Sequence, residues 1–231
     1  ADFNDGLEAY NQGDYDTAFK EWSPYAEQGD ADAQYNLALV YDFGYSDFNK
    51  AFEWYKKSAK QGRKDAQYNL ALMYRDGDGT SKNYKKSIKW FKKSADQGYA
   101  KAQSSLGYAY RWGDRGVDKD YSKALYWTKK AAKQNDVIAQ NNLAVAYEGG
   151  AGLKKDYKES IAWYLKAIDG DYEKAKENLK DLLLKMNKGV DPIYSEAVKS
   201  YKKGFYDEAF PKFLYLALEG GAKAQIYIGA M

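Results

Sequence analysis

The sequence contains no cysteine and no histidine. Disulfide bridges, thiol nucleophiles, the usual zinc and haem ligands, and catalytic triads that depend on imidazole are therefore excluded. Proline is scarce, with three residues in 231, and no run of about 18 apolar residues is present. We therefore expect no metal site of the common kinds, no cofactor and no membrane span.

Net charge is small, because 36 Lys and Arg residues face 33 Asp and Glu residues, which leaves +3. A long-range field this weak argues against a nucleic-acid partner. Lysines and acidic residues alternate along the expected helix faces, which indicates a solvated surface of mixed charge. A hydrophobic content of 45% and an aromatic content of 17% are ample for a buried core.

Two short segments recur along the chain. The first starts with Ala-Gln, contains a leucine and ends in tyrosine, and its copies begin at Ala33, Ala66, Ala102 and Ala139. The second is centred on Trp54, Trp90, Trp127 and Trp163. Apolar residues in both fall near i, i+3, i+4 and i+7, the pattern of an amphipathic helix. The repeating unit is therefore helix, loop, helix.

Small residues occupy fixed places in this unit. Those that follow the leucine of the first helix should let the second helix approach closely, and the tryptophans should supply buried area. These small residues are Ala38, Ala71, Gly107 and Ala144. Glycine-rich turns should end the first helix with positive φ, and Gln61-Gly62, Gln97-Gly98 and Asp169-Gly170 should cap the second helix.

The repeated phrases resemble a known family. The pattern Ala-x-x-x-Leu-Gly-x-x-Tyr, a glycine-rich loop, Asp-Tyr-x-Lys-Ala and Trp-x-x-Lys-Ala-Ala resembles the Sel1-like repeat, and residues 102–135 match it closely. A tetratricopeptide array is the alternative, disfavoured because the period exceeds about 34 residues. Either resemblance implies an all-α fold, an α/α solenoid of antiparallel helix pairs wound as a right-handed superhelix.

The repeat pattern divides the chain into four parts. Residues 1–30 should form a degenerate helix pair, residues 31–186 about four repeats plus a divergent helix, residues 187–192 a break, and residues 193–231 the start of a second, truncated array. In the divergent helix Lys180 takes the small-residue position and should hold the next helix off. Residues 222–231 copy a first helix without its partner. We therefore expect further chain after Met231 or end-to-end self-association through this exposed repeat.

Catalytic motifs are weak. Ser200-x-x-Lys203 has none of the partner motifs of penicillin-binding enzymes, and Asp76-Gly77-Asp78-Gly79 lacks the glutamate of a calcium loop. No phosphate-binding loop occurs. The chain is therefore expected not to be an enzyme.

Binding is the remaining class of function. In tetratricopeptide-like arrays the first helices line a concave face, and the resemblance places the binding residues there. They are Tyr35, Asn36, Leu39, Phe43, Tyr68, Asn69, Arg75, Tyr108, Arg111, Trp112, Asn141, Asn142 and Glu148.

Two groups on this face allow alternative roles. Asn36, Asn69 and Asn142 occupy equivalent positions, where they either read the backbone of an extended peptide or satisfy a neighbouring repeat. The second group, residues 108, 111 and 112, either forms an aromatic and cationic hot spot or packs against the next loop.

The resemblance implies a non-catalytic scaffold or adaptor that binds a protein or peptide, in a bacterial periplasm or outside the cell, with the cytoplasm as the alternative compartment. It also implies two other roles, an immunity protein that neutralises a secreted toxic effector and a peptidoglycan-binding protein. The peptidoglycan role is disfavoured, because cysteine-rich relatives staple each repeat with a disulfide that this chain lacks.

Overall fold

The structure is a computed structural model that describes residues 2–113, 116–186, 192–206 and 208–209. These residues form twelve α-helices and one π-helical segment, and no strand occurs among them. The helices are α1 Phe3–Asn11, α2 Tyr15–Glu27, α3 Ala31–Leu39, α4 Phe48–Lys60, α5 Lys64–Asp76, α6 Tyr84–Asp96, α7 Ala100–Trp112, α8 Tyr121–Ala132, α9 Val137–Gly149, α10 Tyr157–Asp169, α11 Glu173–Met186 and α12 Pro192–Lys202.

The chain divides into two compact units, residues 1–130 and 131–231. In the first unit each helix from α1 to α6 packs against the next one along the chain, and α9, α10 and α11 do the same in the second unit. The predicted all-α array of helix pairs is confirmed.

Each second helix of a pair begins at a capping Asp or Asn. The cap side chain accepts a hydrogen bond from the backbone N–H three residues on, and the cap N–H donates to the tyrosine carbonyl that ends the first helix. The caps are Asp47, Asn83, Asp120 and Asp156, and the side-chain bonds measure 2.9–3.1 Å. The paired carbonyls belong to Tyr41, Tyr74, Tyr110 and Tyr147. The side-chain hydrogen bond explains why Asp or Asn recurs at the start of these second helices.

Glycine ends the first helix in three of the repeats. Gly77, Gly113 and Gly150 follow α5, α7 and α9 in the left-handed conformation, as predicted. The first repeat ends differently, with a π-helical segment over Val40–Gly44 and a shorter loop before α4. Its spacing of 33 residues to the next repeat, rather than 36, reflects this shorter connection.

The small residues lie at close helix contacts, as predicted. Ala38, Ala71 and Ala144 are fully buried. A Cβ atom at Gly107 would overlap Oγ1 of Thr128 on α8. In the third repeat, the close approach of α7 and α8 therefore leaves no room for a side chain at position 107.

The tryptophans contribute less to the core than expected. Trp127 is buried, but Trp54 and Trp90 are half-buried, and the residue after Trp54, Tyr55, is the fully buried ring. The four repeated tryptophans each lie beneath a lysine three residues on, at 3.6–5.4 Å from nitrogen to ring centroid. The tryptophan at this position lies at the boundary of the core, because the outer face of its ring contacts the lysine.

The core of the second unit joins α9, α10, α11 and α12. Ile161, Tyr164, Leu182 and Val198 are buried in one cluster. Lys180, at the small-residue position of α11, is exposed. The predicted break at 187–192 falls mostly outside the described residues. Most of residues 193–231, including the expected end repeat, also lies outside them. The four-part division of the chain and its end-to-end self-association therefore stay predictions.

Gly170 caps α10, as predicted, but not in the left-handed conformation. Gly62 and Gly98 have positive φ after α4 and α6, whereas Gly170 has φ −87° and the following Asp171 takes the left-handed conformation instead. Gly170 is needed for a different reason, since a Cβ atom there would overlap Cγ1 of Val137.

No helix in the described parts of the chain combines the length and apolarity that crossing a bilayer requires. The same residues contain no group of three or more acidic side chains arranged to hold a metal ion.

Candidate functional site

Glutamine side chains set the register between neighbouring repeats. Gln34 Nε2 donates to the Ala26 carbonyl at 3.1 Å, and its Oε1 accepts from Gln61 Nε2 at 2.8 Å. Gln67 and Gln97 repeat the arrangement one repeat later, with the same 2.8 Å amide pair. This glutamine ladder is buried at the first helices, so it presents the outer residues of α3 and α5 in a constant orientation.

Arg63, just before α5, clamps the first two repeats together. Its Cζ lies 4.4 Å from the centroid of the Tyr35 ring, and its guanidinium pairs with Asp65, at 2.7 Å through Nε, and with Asp32. Tyr99 takes the equivalent position before α7 and packs edge-on against Tyr68 at 5.3 Å between centroids. The first-helix tyrosines Tyr35 and Tyr68 thus pack against residues of the following repeat.

Two asparagines at this repeat position face the preceding repeat. Asn69 lies near the hydroxyl groups of Tyr35 and Tyr55; burial raises the pKa of both tyrosines, and Asn69 opposes that shift. In the second unit, Asn178 holds the same repeat position and donates to Asn141 Oδ1 at 2.8 Å. The position of Asn69 thus favours the second of the two roles considered, a contact with a neighbouring repeat.

Acidic residues near the ends of two first helices are held by buried tyrosines. Tyr55 donates to Asp42 Oδ2 at 3.1 Å, and Tyr164 donates to Glu148 Oε2 at 2.9 Å. Burial raises the pKa of Asp42, although the Tyr55 bond opposes that shift. At the equivalent position of the second repeat, Arg75 pairs with Asp76 at 2.8 and 2.5 Å. These polar groups bond within their own repeat.

Exposed aromatic rings mark the third repeat. Tyr108 and Trp112 lie one turn apart on α7, with 48% and 58% of their surface exposed and 6.3 Å between ring centroids. Arg111 places its Cζ 5.4 Å from the Trp112 ring. Phe43 occupies the position equivalent to Trp112 in the first repeat and is 63% exposed. The predicted residues 108, 111 and 112 thus form one surface cluster, which we call the α7 aromatic cluster.

Other predicted residues are placed differently. Asn141 is buried, with 4% exposure, so it contributes nothing to an accessible face, contrary to the prediction. Leu39 is half-buried against the core of the first unit. Asn36 and Asn142 are half-buried on α3 and α9.

Sequence reasoning missed Arg63, Tyr99 and Tyr55, which hold the first helices in place. A signal existed for the first two. Positions just before the first helices carry Asp30 and Asp136 as ordinary caps, whereas Arg63 and Tyr99 make no side-chain cap bond. A capping position without a capping residue indicates that its side chain is used elsewhere.

Paired helices with glycine-ended first helices, capped second helices and a glutamine ladder define a helical-repeat scaffold. A family model described as the Sel1 repeat matches residues 31–62, 64–99, 100–136 and 137–177. Because these matches cover more than half of the sequence, the chain belongs to the Sel1 repeat family, whose repeats generally mediate protein–protein interaction.

Solved structures of the same fold agree. A Sel1 repeat protein from Oxalobacter formigenes is 29% identical with a TM-score of 0.76, over 96% of this chain and 86% of that one. A protective antigen of uropathogenic Escherichia coli strains with an SLR fold is 25% identical at 0.70, over 93% of this chain and 51% of its own. The immunity protein PA5088 of Pseudomonas aeruginosa is 21% identical at 0.54, over 89% and 81%, which shows the fold alone. No curated protein matches the sequence.

Proposed function

We propose that the protein is a non-catalytic bacterial scaffold that binds a segment of a partner protein at the α7 aromatic cluster, in the periplasm or outside the cell. The exposure of Tyr108 and Trp112 supports this site. Tyrosine and tryptophan can each bury about 150–250 Å² in a contact, and together with arginine they dominate interface hot spots.

The surroundings of the cluster support the choice of this site among the predicted residues. Arg75 and Glu148 bond within their own repeats and Asn69 lies against tyrosines of the preceding repeat, so a partner would have to displace those contacts. The two rings of α7 lose only water on binding. Arg111 beside Trp112 adds a cation that favours a partner segment with an aromatic or acidic side chain.

The test is affinity capture from envelope and cytosolic extracts, followed by mass spectrometry, with the Tyr108→Ser/Trp112→Ser double variant beside the wild type. The matched control is Phe205→Ser/Tyr206→Ser, since those rings have similar exposure on the second unit. We expect the α7 variant to lose the captured proteins and the control to keep them. Equal capture by both variants would place the binding surface elsewhere.

The same capture separates the scaffold from the other two roles. Several partners of micromolar affinity that share a segment would support an adaptor. One stoichiometric partner of nanomolar affinity would support the immunity role. This role is considered because the immunity protein PA5088 has the same fold. Sedimentation of the purified protein with isolated peptidoglycan would support the wall-binding role.

A further inference from the structure

Lysine is concentrated on the second helices of the first unit. Helices α4, α6 and α8 together contain twelve lysines, no arginine and two acidic residues, Glu53 and Asp96, a net charge of +10. The mixed-charge surface expected from the sequence is present at three ion pairs, Lys50–Asp47, Lys56–Glu53 and Lys123–Asp120, but lysines outnumber acidic residues on these three helices. Since the whole chain carries only +3, the remaining residues are net acidic and the charge is segregated.

Nine of these lysines recur at three equivalent positions in three consecutive repeats. Three copies of each position make a regular arrangement, which we call the lysine grid. Its rows are Lys50, Lys86 and Lys123, then Lys56, Lys92 and Lys129, then Lys57, Lys93 and Lys130. Seven of the nine are exposed and two are half-buried.

The grid has definite limits. At the corresponding positions α2 carries Thr17, Ser23 and Pro24. In α10 the first two of these positions hold Glu159 and Leu165. The lysines are therefore confined to three repeats and do not follow from the repeat pattern alone.

Aromatic rings hold two rows of the grid. The first row lies over tyrosines that end the first helices, as Lys86 does over Tyr74 at 5.3 Å, and the third row lies over the repeated tryptophans. In each case the ammonium nitrogen lies over the ring, 3.6–5.4 Å from its centroid, so the ring restricts the position of the charge. The charges are thus placed at repeating positions before any ligand arrives.

The three helices belong to consecutive repeats that share core clusters. Trp90 of α6 packs on the core cluster that contains Phe52 and Tyr55 of α4, and Trp127 of α8 shares a cluster with Phe91 of α6. Helices of 12 or 13 residues are roughly 20 Å long. The grid therefore extends along each helix and from one repeat to the next.

We infer that the lysine grid binds the surface of an anionic lipid bilayer. Lysine is a compact, hydrated point charge, whereas the planar guanidinium of arginine is suited to bidentate recognition of individual phosphate or carboxylate groups. A two-dimensional array of point charges matches a sheet of lipid headgroups better than a linear polyanion. Phe48, Tyr84 and Tyr121, the exposed first residues of the three helices, add the aromatic edge typical of membrane interfaces.

This surface is separate from the α7 aromatic cluster, which lies on a first helix. Each lysine near an anionic membrane contributes about 1 kcal/mol, so three lysines account for a factor on the order of 100 in vesicle partitioning. Binding should require anionic lipid and should disappear at high salt, because exposed charges are screened within about 3 Å at 1 M.

The experiment is co-sedimentation of the full chain with vesicles of phosphatidylcholine alone and with 30% phosphatidylglycerol added. The test variant is Lys86→Gln/Lys92→Gln/Lys93→Gln, all on α6. The control is Lys20→Gln/Lys64→Gln/Lys101→Gln, which removes three exposed lysines outside the grid and leaves the same net charge. Circular dichroism verifies that both variants keep their helices.

We expect salt-sensitive binding to the anionic vesicles only, reduced on the order of 100-fold in the α6 variant and less than about fivefold in the control. Absence of binding at low salt, or equal losses in the two variants, would overturn the inference. Retention on heparin or DNA together with failure to bind vesicles would overturn it in favour of a soluble polyanion.

Discussion

Val137 fills the space that a side chain at Gly170 would need, because a Cβ atom at position 170 would overlap Cγ1 of Val137. Position 170 is the repeat equivalent of Gln61 and Gln97, which donate to the buried glutamines of the ladder. Gln140, the buried glutamine of the fourth repeat, accordingly has an Oε1 atom without a hydrogen-bond partner. A single change in packing thus ends the glutamine ladder.

This relationship predicts strong coupling between positions 137 and 170. Gly170→Gln alone should destabilise the protein by about 1–3 kcal/mol, the usual cost of overpacking. Val137→Ala/Gly170→Gln should be more stable than the sum of the two single changes by about 1 kcal/mol, since the ladder bond to Gln140 can then form. Urea unfolding of all four proteins measures the coupling, and additive effects would contradict the ladder explanation.

The contact between Gly107 and Thr128 predicts a reversal of helix propensity. Alanine is favoured over glycine by about 1 kcal/mol inside a helix, yet Gly107→Ala should destabilise the protein by about 1–2 kcal/mol because its methyl group meets Thr128. In a Thr128→Ala background the same change should cost clearly less. Thermal unfolding measures the effect of Gly107→Ala in the two backgrounds. A stabilising effect in the wild-type background would contradict the steric conflict with Thr128.

The bond between Tyr55 and Asp42 predicts a pH-dependent loss of stability. Burial raises the pKa of Asp42 in the folded state, so the ionised carboxylate costs stability above that pKa and the cost vanishes as the pH falls through it. Tyr55→Phe removes the donor that stabilises the carboxylate. The free energy of unfolding should fall by about 1.5–3 kcal/mol at pH 7 and by less below the ordinary aspartate pKa of about 4.

The control for this prediction is Asp42→Asn. In that background, Tyr55→Phe should lower the free energy of unfolding by nearly the same amount at pH 7 as in acid, because no carboxylate remains at position 42 to titrate. Urea unfolding at several pH values provides the data. A loss independent of pH in the Asp42 protein would mean that packing of Tyr55, and not its hydroxyl group, carries the effect.

Trp22 and Trp112, one buried and one exposed, should differ in how much their truncation destabilises the protein. Trp22 is fully buried over Gly6 and donates to the Phe3 carbonyl at 3.0 Å, so Trp22→Ala should cost about 3–5 kcal/mol. Trp112→Ala should change stability by at most about 0.5 kcal/mol. This difference allows loss of partner capture at Trp112 to be assigned to binding, and a large destabilisation there would remove that assignment.

Periodicity along the chain was enough to predict the helix pairs, their family and the close contacts at the small residues. These features depend on patterns of three to four residues and on a period near 36, both visible without coordinates. The α7 aromatic cluster was also named from sequence, because Tyr108 replaces an aliphatic residue of the other repeats and Arg111 and Trp112 lie near the same helix end.

Contacts between residues far apart in the sequence were decided by the tertiary structure, because the repeat pattern does not contain them. Whether an asparagine faces solvent or a neighbouring repeat depends on residues 30 or more positions away, as Asn69 with Tyr35 shows. Gly170 caps α10 as the sequence suggested, but Val137 on another helix, and not a left-handed conformation, explains why glycine is needed there. The lysines resembled an ordinary solvated surface in one dimension. Shared core clusters join α4, α6 and α8 in consecutive repeats, so lysines 36 or 37 positions apart recur at equivalent places of one folded array.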